Sequence, residues 1–290
     1  MEVVMVNIGF VTDSTAYLTK EQIQQSGVRV IPLSVIFGGK SYREGIDISN
    51  EDFYARLPQL KELPTTSQPP VGEMVSLFKE MLESYDSIMC LFLSDKLSGT
   101  YQTAKAAAEM VDAKRIAVVD SRISSYGIAG PLLDGVEMAR NGGTVEQILE
   151  MWEKELESEE AYFIVDTLEF LHKGGRIGGA AAAFGSLLQI KPILTMVEGR
   201  IDLFEKIRTH RRAVDRAKQM FAQDAASGMP LNLGVVHSVR LEDAKALRDE
   251  LTAKYPHVNA GISELGPVVG THTGPGLLAL VYYQRQNLQP

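Results

Sequence analysis

Hydroxyl side chains gather where this 290-residue chain turns out of its apolar segments, in "TDST" (12–15), "TTSQ" (65–68) and "LSDKLSGTYQ" (93–102). A hydroxyl donates one hydrogen bond and accepts two, so a group of them suits a ligand that carries oxygen atoms. Thr66 stands just ahead of Pro69 and Pro70 and of a helical pattern, and Ser98 stands just ahead of Gly99 and a second one. Helix N-termini present unpartnered backbone N–H groups and the positive end of the helix dipole, and both favour anions. Each residue alone reads equally well as an N-cap, because Ser, Thr and Asp are the preferred caps. Two such ends in one half of the chain point to an anion site. "THTGPG" (271–276) sets His272 between two threonines in a turn dense in glycine and proline. There the ring can hydrogen-bond an anion, which would favour its charged form, or it can simply hold the turn.

Other chemistries lack their residues. His172, His210, His237 and His257 show no metal-ligand spacing, and Cys90 is the one cysteine, so neither a zinc site nor an internal disulfide is expected. No metal and no cofactor is expected. "GGKS" (38–41) resembles the end of a phosphate-binding loop, but its first glycine is missing, with Ser34 and Val35 in that region. "GPGLLA" (274–279) leads into a strand and leaves no room for the downstream acid of a dinucleotide site. There is no G-x-S-x-G and no H-E-x-x-H. A stand-alone acyl hydrolase or transferase remains the alternative, with Ser98 as nucleophile and His272 as base, although no elbow or third member supports it.

The elements that must position these residues follow from periodicity. In the first half, strands are expected at 6–13, 28–39, 87–94 and 115–121. Helices are expected to begin at the prolines 69–70, with Met74, Leu77, Phe78, Met81, Leu82 and Tyr85 at helical spacing, and over 99–111 and about 123–141. "TTSQ" reads as the loop that feeds the first of these helices. The alternation predicts a mostly parallel, Rossmann-like sheet with flanking helices. The second half reads differently: a hairpin about Glu198–Gly199–Arg200, three more strands and two helices predict an α+β domain with a mixed, largely antiparallel sheet. The charged helix 144–160 is the expected connector, giving domains 1–158 and 159–290. "LHKGGRIGGAAAAFGSLLQIKPIL" (171–194) holds a small-residue helix that begins near Ile177. Its residues Ile177, Ala180, Ala181, Phe184 and Leu188 read as the wall of a long apolar cavity or as tight packing on a sheet.

Apolar residues make up 45% of the chain, enough for a sizeable core, and the net charge of −8 argues against nucleic-acid binding. "KIRTHRRA" (206–213) is a basic island in this acidic chain, either a solvated face or a docking patch. No signal peptide is read at the N-terminus. The uncharged, small-residue run Ile177 to Ile190 is too short to span a bilayer, so a soluble, cytoplasmic protein with no stable membrane insertion is expected.

"VTDST", "TTSQP", "LSGTYQTA", "KGGRI", "IKPIL", "KIRT" and "GTHTGPG" occur in that order. Together they closely resemble the DegV family over essentially the whole chain. The resemblance implies a fatty-acid-binding protein of two α/β domains with the acyl chain, such as palmitate, buried between them. In some members it is the non-catalytic binding component of a bacterial fatty acid kinase. It then presents the carboxyl group to a separate ATP-dependent kinase subunit, which makes an acyl phosphate. Carried over by motif, the carboxylate-binding residues are Thr66, Ser98, His272 and Arg208, with Thr273 assisting. Pro70 departs from the family, which often has serine there.

Overall fold

The computed structural model describes residues 7–181 and 191–289. Strands β1 (Ile8–Asp13), β2 (Arg29–Ile31), β6 (Ser87–Phe92) and β7 (Ile116–Asp120) form a parallel sheet in the order β2-β1-β6-β7. Ile88 to Phe92 are fully buried because both faces of the sheet are covered. Ile88, Cys90 and Phe92 pack against Met74, Phe78, Ala104 and Ala107 of the helices Val71–Met81 and Thr100–Val111. Met89 and Leu91 face Ile128, Leu132 and Trp152 of the helices Tyr126–Arg140 and Val145–Glu157 on the other side.

β3 (Ser34–Phe37), β4 (Lys40–Arg43) and β5 (Thr65–Ser67) make a small antiparallel sheet, order β4-β3-β5. The sequence reading did not foresee it. The segment 28–39 is two strands in two sheets, divided at Pro32, which has no N–H to donate. "TTS" is a strand, with Thr66 opposite Val35. The helix behind it begins at Val71 with Pro70 as its N-cap, as the two prolines predict.

β8 (Glu160–Ile164), β9 (Lys191–Val197), β10 (Arg200–Ile207), β11 (Leu231–His237), β12 (Val258–Glu264) and β13 (Leu278–Gln284) form a six-stranded sheet in the order β10-β9-β8-β13-β11-β12. Within it β11 and β12 are parallel and the other pairs antiparallel. The expected hairpin is present: Glu198 (φ 48°) and Gly199 (φ 79°) form its turn. Side chains alternate across the sheet with period two. Tyr162, Ile164, Val235, Leu278, Leu280 and Tyr282 lie under the helices His210–Ala225 and Leu241–Lys254. Ala161, Phe163, Val236, Ala279 and Val281 form the opposite, inner face.

"THTGPG" also differs from its reading as a turn. Residues Pro267–Thr273 are a short helix that starts on a proline at its first position and ends at Gly274 (φ 72°). His272 therefore sits in the last turn of a helix. Among the described residues, no helix is long and apolar enough to cross a membrane.

Candidate functional site

The inner face of the six-stranded sheet does not close onto the rest of the molecule. A cavity, partly open to solvent, remains between it and the segments that follow the parallel strands: Leu33 after β2, Leu93 after β6, and Ile123 to Ser125 after β7. The recess has a cause in the sequence. Ala279 pairs with Phe163 and Val281 with Ala161, so two of the four central inward positions are alanine. A methyl group reaches little of the gap that a leucine would fill.

Polar side chains in the lining are few, and most come from the segments that the sequence singled out. Thr66, Ser98, His272 and Thr273 all line this cavity. Thr66 Oγ1 and His272 Nε2 are 2.9 Å apart and hydrogen-bonded. The other ring nitrogen, Nδ1, is buried without a hydrogen-bond partner among the described residues, against Gly174, where an added Cβ would collide with it. We assign the tautomer with the proton on Nε2, because a lone acceptor in the interior costs less than a lone donor. His272 then donates to Thr66 Oγ1, and the Thr66 proton is left to meet a ligand oxygen. Burial, and next the Arg176 charge, lower the His272 pKa to about 4, so the ring is neutral at pH 7.

Ser98 stands at the start of the helix Thr100–Val111. Its Oγ is 2.9 Å from Thr100 Oγ1 and accepts the Thr100 N–H at 3.4 Å, while the N-cap itself, Gly99, has no side chain to cap with. The glycine is needed for close approach: a Cβ there would meet the Gln68 side chain, so "TSQ" and "SGT" lie side by side. Thr273 is buried and donates its hydroxyl proton to the Val269 carbonyl at 3.1 Å, which leaves it an acceptor.

Arg208 is not in this lining. It follows the last residue of β10 and is exposed, as are Arg211 and Arg212 of the basic island. The arginine that the fold brings to the cavity is Arg176, anchored by Nη1 to the Gly174 carbonyl (2.8 Å) and by Nε to the Leu97 carbonyl (3.2 Å). It lies within the quoted "KGGRI", yet no periodicity or spacing marks it. Ile177 and Ala180 are buried in the apolar cluster behind the cavity rather than in its lining, and Ala181 is exposed. Gly178–Ala180 form a single 3-10 turn where a helix was expected to begin. Phe184 and Leu188 lie outside the described residues. Ser124 and Ser125 also line the cavity and were not singled out. Among the described residues no group of three or more His, Cys, Asp or Glu is placed to hold a metal ion.

The comparisons with known proteins agree in one direction. Residues 7–285 match the family described as "Uncharacterised protein, DegV family". Protein DegV of Bacillus subtilis is 42% identical over 277 residues, covering 95% of this chain and 99% of that protein. Its crystal structure, described as that of a fatty acid binding protein, superposes with a TM-score of 0.90 over 96% of this chain and 99% of that one. A DegV family protein from Thermus thermophilus, described by its fatty acid binding, gives a TM-score of 0.91 at 36% identity, covering 96% and 99%. A stearic acid-binding protein from Eubacterium ventriosum gives 0.86 at 28% identity, covering 96% and 98%. With a match over nearly its whole length and relatives of this identity, the chain belongs to the DegV family.

Proposed function

We propose that this protein binds a long-chain fatty acid in the inter-sheet cavity, with the carboxylate at Thr66, Ser98, His272 and Arg176 and the chain along the inner sheet face. It acts as a carrier that presents the head group to a separate ATP-dependent kinase. The single observation that carries this reading is an apolar cavity in which a hydroxyl, Thr66, is oriented by a neutral histidine. A carboxylate taken out of water needs donors, and two hydroxyls and a guanidinium are the kinds of group that supply them. The tail supplies affinity: at about 0.8 kcal/mol per methylene, fourteen methylenes give roughly 11 kcal/mol gross, which the costs of association and ordering reduce. The fatty acid binding described for the Bacillus and Thermus proteins supports the same reading.

The hydrolase alternative gains nothing from the geometry. His272 Nε2 meets Thr66, Ser98 meets Thr100, and among the described residues no carboxylate stands at Nδ1 to orient the ring.

The test is lipid content. Purified wild-type protein, denatured and extracted, is expected to release a long-chain fatty acid in near-stoichiometric amount by mass spectrometry. Thr66→Val with Ser98→Ala is expected to stay folded and lose most of it. Full occupancy in the folded double variant would place the head group elsewhere. For the kinase step, the exposed island around Arg211 and Arg212 is the proposed docking patch. Reversing both charges is expected to abolish capture of an ATP-dependent kinase subunit while lipid content stays unchanged; capture that survives excludes the patch.

A further inference from the structure

The helix that carries His272 is fastened at its opposite end by side chains from the first half of the chain. Its N-cap is Gly266, which offers no side chain, and its first N–H groups are satisfied from outside the helix. Glu44 is 5% exposed and accepts the Val268 N–H through Oε1 at 2.7 Å. Its Oε2 accepts from Ser14 Oγ at 2.6 Å. Tyr17 accepts the Val269 N–H on its hydroxyl at 3.1 Å and donates to Glu44 Oε1 at 3.3 Å. Tyr54 donates to the Leu265 carbonyl at 3.0 Å. A Cβ at Gly266 would meet Glu44 and Tyr17, and one at Gly270 would meet Tyr54, so both glycines are needed for this approach.

Glu44 is a buried carboxylate whose hydrogen-bond partners are one amide and two hydroxyls. Among the described residues, none of these partners is a lysine or arginine. An ionised group in that setting costs stability, and the fold offers no electrostatic return for it. Its placement makes sense through what it connects. Glu44 directly follows β4, in the small sheet whose β5 carries Thr66. Val268 and Val269, which it and Tyr17 hold, line the cavity one turn before His272.

We infer that Glu44 is a positioning residue for the head-group site: by holding the start of the His272 helix to the sheet that bears Thr66, it sets the Thr66–His272 hydrogen bond. This rests on the head-group reading above. Glu44 need not touch the ligand, and its effect is expected only for ligands that use the Thr66–His272 pair as a carboxylate does.

The experiment compares palmitate with 1-hexadecanol, which keeps the chain and lacks the carboxylate, by displacement of a fluorescent acyl probe from delipidated protein. Glu44→Leu removes the acceptor and leaves the Val268 N–H unpaired. Glu44→Gln keeps a carbonyl oxygen that can accept it. Glu44→Leu is expected to weaken palmitate at least tenfold and to change hexadecanol less than about threefold. Glu44→Gln is expected to restore palmitate to within about threefold of wild type. Equal losses for both ligands, or wild-type palmitate binding in Glu44→Leu, would overturn the inference. Should Glu44→Leu fail to fold, Tyr17→Phe, which removes the acceptor of Val269, carries the same comparison with a smaller selective loss. A wild-type protein that does not prefer palmitate to hexadecanol refutes the head-group reading itself and the role of Glu44 with it, an outcome distinct from every variant result.

Discussion

A histidine kept neutral by burial and by a neighbouring guanidinium is a group whose proton count differs between the folded and unfolded chain. His272 titrates near 4 in the fold against 6.5 unfolded. Between those values the unfolded state binds a proton that the native state does not, so its contribution to stability is full above pH 6.5 and is lost as the pH falls towards 4. Glu44 works in the opposite sense. Burial raises its carboxyl from 4.5 to about 7, so through that window the native state holds the extra proton and stability falls as pH rises. Asp13 adds to the shift by its charge, while the Ser14, Tyr17 and Val268 hydrogen bonds reduce it. The two effects mask each other in a single pH profile and separate in a difference. The stability of delipidated wild type minus that of His272→Gln, from urea unfolding, is expected to rise by on the order of 2 kcal/mol from pH 4 to 6.5 and to stay level above. A difference that is flat over this range would mean that the ring is not desolvated as described.

At the scale of elements, the cavity is a property of one sheet face. Its dimensions follow from the small residues at two inward positions, Ala161 and Ala279, set diagonally on adjacent strands. Ala279→Leu adds three carbons to the recess. At about 0.8 kcal/mol per displaced methylene, palmitate is expected to bind roughly 2 kcal/mol more weakly, with the best chain shorter by about three methylenes. Competition among acids of twelve to eighteen carbons measures this, and an unchanged chain-length optimum would remove the inner face from the acyl path. The sequence makes the strand "LLALVYY" legible through its apolar run, but not which of its faces turns inward, since both are buried. Longer elements were legible for the same reason: helices and strands with many periodic positions fall where periodicity puts them. What escaped were features decided by distant partners. "TTS" is three polar residues, and only its pairing with β3 makes it a strand. Pro267–Thr273 is too short for a helical period and takes its first caps from Glu44 and Tyr17. Arg176 and Arg208 each stand in a motif of the resemblance, and nothing in either local sequence tells which of the two meets the cavity.

In the whole molecule, the two large sheets are separate while the chain interleaves around them. The proposed division at 158/159 falls in the link between the helix Val145–Glu157 and β8. Yet Val268 and Leu288, from the far end of the chain, are buried in the apolar cluster of Phe10, Met89 and Trp152. Phe170 packs against the cluster of the small sheet. The cavity takes its walls from both sides of that division. A ligand filling it contacts both halves at once, and it binds only when they are together, so occupancy stabilises the native state by mass action. With free fatty acid at one hundred times its dissociation constant the gain is about 2.7 kcal/mol. At roughly 2–4 °C per kcal/mol, extraction of the lipid is expected to lower Tm by about 5–10 °C, and added palmitate to restore it. The Thr66→Val/Ser98→Ala protein should begin near the lower value and respond little to palmitate. A wild-type Tm that is indifferent to verified removal of the lipid would mean that the bound chain does not bridge the two sheets, and would place it on the surface instead of in the cavity.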